Sequence, residues 1–399
     1  MKKLLLLGGA RYAIPVIEAA HKLGIHIITC DYLPDNYAHQ FSDEYCNVSI
    51  IDKDAVLKKA KELKIDGIMS FACDPGVVTA AYVAEKMGLP GCGSYKSVSI
   101  LQNKGLFRKF LTENGFTVPT ARSYSSISQA LSEKKLFKGA VIVKPVDSAG
   151  SKGVTRVDSM EKLEFSIKHA LDFSHCNEFI IEDFIEKKGC SSDSDSFSVN
   201  GEFKYISFSN QYFDQNAENE YTPSAFCWPS TMSTKCQKEL ANELQRLIKL
   251  LSMGTSIYNI ETREGIDGKT YIMEVSPRGG GNRLAEVIRY ATGVDLITNS
   301  VKASIGLPVD NIEQIDYKGF WAEIILHGDK TGIFKGIEIS DKIKKYLYEE
   351  DLWIKKGDKV ENFSGANKAI GTLVFNFDSQ ELQHEVMYSL NNYIKTIVE

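Results

Sequence analysis

The N-terminal stretch alternates short apolar runs with amphipathic ones, and this alternation restricts the chain to a few folds. Residues 3–7, 25–30 and 67–71 read as strands, and residues 13–23, 54–63 and 75–87 as helices. Strands separated by helices imply βαβ units and a parallel sheet. In such a sheet the loops after the strands gather on one edge, where ligands bind. Asp31, Asp74 and the Gly8-Gly9-Ala10-Arg11 turn are expected there. Gly8-Gly9 falls short of a Gly-x-Gly-x-x-Gly fingerprint, so a dinucleotide site is poorly supported. Asp31 reads as a turn former in preference to a ribose ligand.

At 399 residues the chain exceeds one ordinary core, which implies two or three packed domains. A formal net charge of −5 argues against nucleic acid or an anionic membrane as partner, since both require a concentrated basic surface. Eight dispersed cysteines without a Cys-x-x-Cys pair read as the reduced thiols of a cytoplasmic protein. The leucines after Met1-Lys2-Lys3 imitate a signal peptide but stop at Gly8-Gly9, as a buried first strand does. No run approaches the ~20 apolar residues of a membrane span.

After Leu89-Pro90-Gly91 the alternation breaks, and a short linker helix is expected to carry Lys104. Short strands are then expected at 141–144, 179–182, 197–199 and 205–207, a helix at 235–251, and strands at 256–261 and 270–275. Beyond Pro308 follow a strand at 320–326 and others near Ile333, Ile354 and Thr372.

The run from Glu274 to Arg283 carries the most chemistry. Glu274 ends a strand, where a fixed backbone can present a hard oxygen ligand for Mg²⁺. Arg278 offers a fork for a phosphate or carboxylate, and Gly279 to Gly281 allow close approach of backbone N–H groups. Glu261 ends the preceding strand across a hairpin turn at 265–268. Two carboxylates side by side on paired strands are unfavourable unless a cation lies between them. Lys144 ends another strand before the glycine-interrupted segment 147–153, long for a hairpin loop and suited to a flap whose N–H groups fold over phosphates. Its sequence does not fit a P-loop. Glu182-Asp183-Phe184-Ile185 can present backbone groups to a purine edge, although by itself an amphipathic strand end is the simpler reading. Asp193-Ser194-Asp195-Ser196 begins like a calcium loop but has Phe197 and Lys204 at the third and twelfth ligand places, so a solvated turn or polar strand is expected.

Taken in order, Lys104, Lys144, the 147–153 flap, Glu182 to Ile185, Glu261 and Glu274-Val275-Ser276-Pro277-Arg278 resemble the ATP-grasp superfamily over residues 1–305. The overall look is closest to its carbamoyl-phosphate-synthase-like ligases and L-amino-acid ligases. The resemblance implies a preATP-grasp α/β parallel-sheet domain (1–103) followed by an ATP-grasp module of two α+β subdomains. These would be a lid with the flap (104–188) and a metal and acyl-phosphate subdomain (189–310), with a strand-rich C-terminal extension (311–399).

By that resemblance Lys104 and Lys144 contact ATP phosphates, and Ser148, Gly150, Ser151 and Gly153 of the flap close over them. Glu182, Asp183, Phe184 and Ile185 receive adenine, and Glu261 and Glu274 bind two Mg²⁺ ions, with Mn²⁺ as an alternative. Ser276 stands where the family places a metal-binding Asn. Gly189-Cys190-Ser191-Ser192 stands where many relatives carry a ribose-binding glutamate, so the ribose contact is unassigned.

The expected reaction is ADP-forming ligation of a small-molecule carboxylate, an amino acid being one candidate, to an amine through an acyl phosphate. Arg278 would stabilise that acyl phosphate, and Asn282 and Arg283 either orient the acceptor or start a helix. A purine-pathway-like carboxylase or formyl transferase is the near alternative, and an ATP-binding protein with a degraded site the alternative of another class. A homodimer is a family-level expectation.

Overall fold

The computed structural model describes residues 1–399. The chain opens with β1 (Lys3–Leu7), α1 (Ile14–Lys22), β2 (His26–Cys30), β3 (Glu44–Cys46), α2 (Lys53–Leu63), β4 (Gly67–Ser70) and α3 (Asp74–Met87). Its sheet has the order β3-β2-β1-β4 with every pairing parallel. The leucine run of β1 serves both faces: Leu4 and Leu6 join one core, Leu5 and Leu7 another. A strand covered on both sides has no polar face, which is why the run lacks alternation. Asp31 accepts from Leu33 N and Asn36 Nδ2 and shapes a turn.

Two helices, α4 (Tyr95–Gln102) and α5 (Lys104–Glu113), lead out of this domain, N-capped by Ser94 and Asn103. Lys104 is the first residue of α5. A lid follows, with β5 (Ala121–Tyr124), α6 (Ile127–Ser132), β6 (Val141–Pro145), β7 (Thr155–Val157), α7 (Leu163–Asp172) and β8 (Phe179–Asp183). Its antiparallel sheet runs β5-β8-β6-β7.

The third region contains β9 (Ser192–Val199), β10 (Glu202–Tyr205), β11 (Asn210–Phe213), β12 (Pro223–Trp228), α8 (Thr234–Leu250), β13 (Ser256–Glu264), β14 (Thr270–Ser276), α9 (Leu284–Thr292) and α10 (Leu296–Ser304). The antiparallel sheet β10-β9-β13-β14 forms its centre. Leu240, Leu244, Leu247 and Ile248 form the apolar stripe of α8, which packs with Leu101 and Phe107 of the linker helices.

The remainder contains β15 (Phe320–Leu326), β16 (Gly332–Ile339), α11 (Asp341–Lys344), β17 (Leu347–Leu352), β18 (Lys359–Val360), β19 (Gly371–Phe377), α12 (Gln380–Tyr388) and β20 (Ile394–Val398). β15, β19 and β17 extend β11 and β12 into one five-stranded sheet, β11-β12-β15-β19-β17. The boundary expected between residues 310 and 311 is therefore bridged by backbone hydrogen bonds, and the C-terminal strands complete a sheet begun before α8. The strand expected near Ile354 is β17, which ends at Leu352.

Arg108 of α5 fastens these layers together. Its Nε donates to Glu182 Oε1 of β8 at 2.7 Å, and its two terminal nitrogens donate to the Ile272 and Met273 carbonyls of β14 at 3.1 and 3.0 Å. Arg108 and Glu182 are both buried. Breaking a buried pair by removing one partner costs more than a surface bridge, because a desolvated charge is left behind. Arg108→Met is expected to lower unfolding stability by about 3–5 kcal/mol in urea titrations. A loss under about 1 kcal/mol, the range of a surface bridge, would show that the linker helix is held by apolar packing alone.

Candidate nucleotide and metal site

A cleft of about 350 Å³ lies where the lid, the central sheet and the N-terminal domain meet. Of the residues expected from sequence, Lys104, Lys144, Ser148, Gly150, Ser151, Glu182, Asp183, Phe184, Ile185, Glu261, Glu274, Arg278 and Asn282 line it.

Strand pairing sets its acidic wall. In the β13–β14 hairpin Glu261 pairs with Glu274, and in the β9–β13 ladder Glu261 also pairs with Asp193. Three carboxylates thus form a row across adjacent strands. Burial, followed by the Glu261 charge, pushes Asp193 up to about 8. Burial also raises Glu261, with Arg263 opposing and Glu274 adding to the rise. The nearest cations are Lys104, 3.7 Å from Glu274, and Arg263, 3.8 Å from Glu261.

No three His, Cys, Asp or Glu side chains converge into a closed metal cage. The hard oxygens of Glu261 and Glu274 nevertheless suit Mg²⁺, which commonly uses one or two carboxylates and completes its shell with water and phosphate oxygens. The like-charged pairing of Glu261 with Glu274 and Asp193 leaves hard oxygens side by side with room for a cation, so the residues fit the ion.

The basic side of the cleft is equally fixed. Lys144 Nζ lies 2.8 Å from Glu182 Oε2, and Arg108 holds the other oxygen of that carboxylate. Burial would raise Glu182, but Arg108 and Lys144 outweigh it and hold the carboxyl down to about 2. Burial lowers Lys144, with Glu182 working against it. The Glu182 side chain is therefore occupied in positioning Lys144. Arg263 donates to the Ile185 carbonyl, Arg156 lies 4.1 Å over the Phe184 ring, and Asp183 Oδ1 is buried without a partner.

The flap lies across the cleft. Lys104 Nζ donates to the Ser148 carbonyl at 2.8 Å, and Ser151 Oγ donates to the Tyr221 carbonyl at 2.9 Å, tying lid to central region. Asp147 anchors the flap's root by accepting from the backbone of His175 and Cys176. Gly150, Ser151 and Gly153 have φ of +67°, +58° and +70°.

Three expected site residues sit elsewhere, and a fourth is engaged. Gly153 supports the flap from behind, where an added Cβ would lie 3.0 Å from Phe173 and 3.2 Å from Pro145. Ser276 is buried; its hydroxyl donates to Asp74 Oδ1 and accepts from Gln102 Nε2, so it braces domains and does not face the cleft. Arg283 begins α9 at φ +56° and pairs with Glu286 and Glu349, which makes it structural. Arg278 lines the cleft, but Asp74 takes its Nε and Nη2 at 2.8 Å each, so it is not a free fork.

Sequence reading passed over Asp193, Tyr12, Gln211 and Arg263, all of which line the cleft. Of the two expectations for 193–196, the polar strand is the one observed, and it is buried: Asp195 is fully buried, accepts from Gly280 N, and is pushed by burial up to about 7. Its usable signal was alternation, with Asp193 and Asp195 on one strand face.

Residues 17–91 match an ATP-grasp N-terminal domain and residues 101–282 an ATP-grasp domain. The carbamoyl phosphate synthase large chain of Thermotoga petrophila is 24% identical over 63% of this chain, which spans only 22% of that protein's length. The formate-dependent phosphoribosylglycinamide formyltransferase of Bacteroides thetaiotaomicron is 23% identical, covering 94% of this chain and 93% of that protein. The crystal structure of an L-amino acid ligase from Bacillus licheniformis aligns over 100% of this chain and 99% of its own, with a TM-score of 0.81 at 18% identity, a likeness of fold. No helix is long and apolar enough to cross a membrane. With its two domain matches, its fold and its cleft, the chain belongs to the ATP-grasp superfamily.

Proposed function

We propose that the protein is an ADP-forming ligase that joins a small-molecule carboxylate to an amine through an acyl phosphate. The observation that carries this reading is the facing of Lys104 and Lys144 against Glu261 and Glu274 across one flap-covered cleft. ATP supplies the phosphoryl group. A carboxylate oxygen attacks the γ-phosphorus and ADP leaves. The amine nitrogen then attacks the acyl carbon, phosphate leaves with the transferred oxygen, and the nitrogen loses a proton.

Lys104 and Lys144 supply positive charge to the phosphates, which in phosphoryl transfer is mostly positioning and electrostatics. Mg²⁺ held by Glu261 and Glu274 would neutralise further phosphate charge. The flap from Ser148 to Lys152 excludes water, protecting the acyl phosphate from hydrolysis. Arg278 meets a substrate carboxylate or oxyanion by sharing the guanidinium with Asp74 or exchanging that partner. A second reading, in which the carboxylate is formate, is supported by the relative that runs along 94% of the chain. The intact row of Glu261 and Glu274 and the two cleft lysines argue against a degraded site.

Phosphate release is expected to depend on both a carboxylate and an amine in a pairwise screen, with product mass equal to their condensation. Lys144→Ala and Glu274→Ala are each expected to lose at least about a hundredfold in turnover while retaining native circular dichroism. Full turnover in either folded variant would defeat the assignment, and formate-dependent release without an amine-linked product would favour the second reading.

The acidic row gives a pH signature. Folding raises the Asp193 pKa, so its contribution is most favourable below the ordinary carboxylate range and is lost as pH rises towards about 8. Without divalent cation, Asp193→Asn is expected to raise Tm progressively from about pH 5 to about pH 8. A gain constant across that range would contradict the charge argument.

A further inference from the structure

The inner end of the cleft carries a second set of polar groups with no task in handling phosphate. Gln211 of β11, Phe226 of β12, Glu323 of β15, Val374 of β19 and Glu349 of β17 stand in one cross-strand row. Cross-strand partners share a sheet face. Gln211 at one end lines the cleft, while Glu349 at the other pairs with Arg283 at the start of α9.

Glu323, paired across the sheet with Phe226 and Val374, is fully buried, and neither of its carboxyl oxygens has a hydrogen-bond partner. Gln211 Oε1 and the hydroxyl of Tyr12 are also buried and unpartnered, and both residues line the cleft. Gln211 Nε2 donates to Asp193 Oδ2 at 3.4 Å, which joins this group to the acidic row. A smaller void bounded by Tyr12, Arg283, Leu284 and Glu286 adjoins it.

Buried polar atoms without partners are rare because each costs its full desolvation, and here Gln211 and Glu323 share one sheet face and the Glu323 charge reaches the Tyr12 hydroxyl. Arg283 is the cation on this side, and Glu286 and Glu349 already engage it. What the group lacks is a compact cationic donor. A primary ammonium offers three N–H donors and one positive charge, whereas a carboxylate or phosphate would be repelled.

The geometry points to a subsite in which Glu323, Gln211 and Tyr12 hold the protonated amino group of the carboxylate substrate, at the opposite end of that molecule from the group activated beside Arg278. Resting on the ligase reading above, this assigns the substrate class as an amino acid and excludes formate, bicarbonate and simple fatty acids. The ammonium so held is an anchor and not the nucleophile, since an attacking nitrogen must be uncharged. Glu323 and Tyr12 are specificity residues, entering contact only through that amino group.

The test traps the acyl phosphate with hydroxylamine in the presence of MgATP, comparing a panel of L-amino acids with their N-acetyl and des-amino counterparts. The wild-type protein is expected to form hydroxamate from amino acids and not from the counterparts. Glu323→Gln is expected to raise the amino-acid KM at least about tenfold, with the ATP KM unchanged, because a charge-assisted bond becomes a neutral one. Tyr12→Phe, which keeps the ring, is expected to shift the same parameter in the same direction.

Equal use of amino acids and des-amino acids, or unchanged discrimination in Glu323→Gln, would overturn the subsite while leaving the ligase reading in place. The latter result is also what a structural water beside Glu323 would give. Hydroxamate from no acid would overturn the ligase reading. Methylammonium chloride would then decide the subsite: a rise in Tm over equimolar sodium chloride that Glu323→Gln abolishes supports it, and no such rise overturns it.

Discussion

Three carboxylates set side by side on neighbouring strands repel one another, and much of the molecule is arranged to make that row tolerable. Asp193, Glu261 and Glu274 come from β9, β13 and β14, and the groups that compensate them come from different parts of the chain. Lys104 starts the linker helix, Lys144 lies one residue before the end of a lid strand, and Arg263 lies two residues beyond Glu261 on its own strand. The site forms only when these layers close on one another. Its charge balance therefore depends on the same contacts that hold the fold.

Arg108 and Asp74 connect that charge pattern to the architecture. Arg108 holds Glu182, which holds Lys144, so a lysine lining the cleft is positioned by a helix outside the lid sheet. Asp74, at the start of α3, holds Ser276 at the end of β14 and Arg278 just beyond it, which brings the N-terminal domain into the cleft wall. The flap is clasped by Lys104 on one side and Tyr221 on the other. Each clasp uses one or two hydrogen bonds, so little holds the flap to the layers on either side of it.

Local patterns made a large part of this legible in sequence. The βαβ alternation gave the N-terminal sheet, and the short turn at 265–268 fixed the register that sets Glu261 beside Glu274. Asp193 was hidden because β9 pairs with β13 across three intervening strands and α8, and no local pattern records such a partner. The place of Ser276, and which of its two expected roles Arg283 takes, were hidden for a related reason. Both belong to a run rich in polar and glycine residues, and only tertiary structure shows that Asp74 engages one and Glu349 the other. The continuation of the β11-β12 sheet by β15, β19 and β17 was likewise invisible, since strand partners so far apart in sequence leave no trace in either segment.

The central claim is that the acidic row binds nucleotide by way of a divalent cation. Calorimetric titration of ATP with excess Mg²⁺ and with chelator, in the wild type and in a Glu261→Gln, Glu274→Gln double variant, tests it most directly. Removing Mg²⁺ is expected to weaken wild-type binding by at least about tenfold, or 1.4 kcal/mol, and to leave the double variant nearly unaffected. Equal wild-type affinity with and without Mg²⁺ would contradict it.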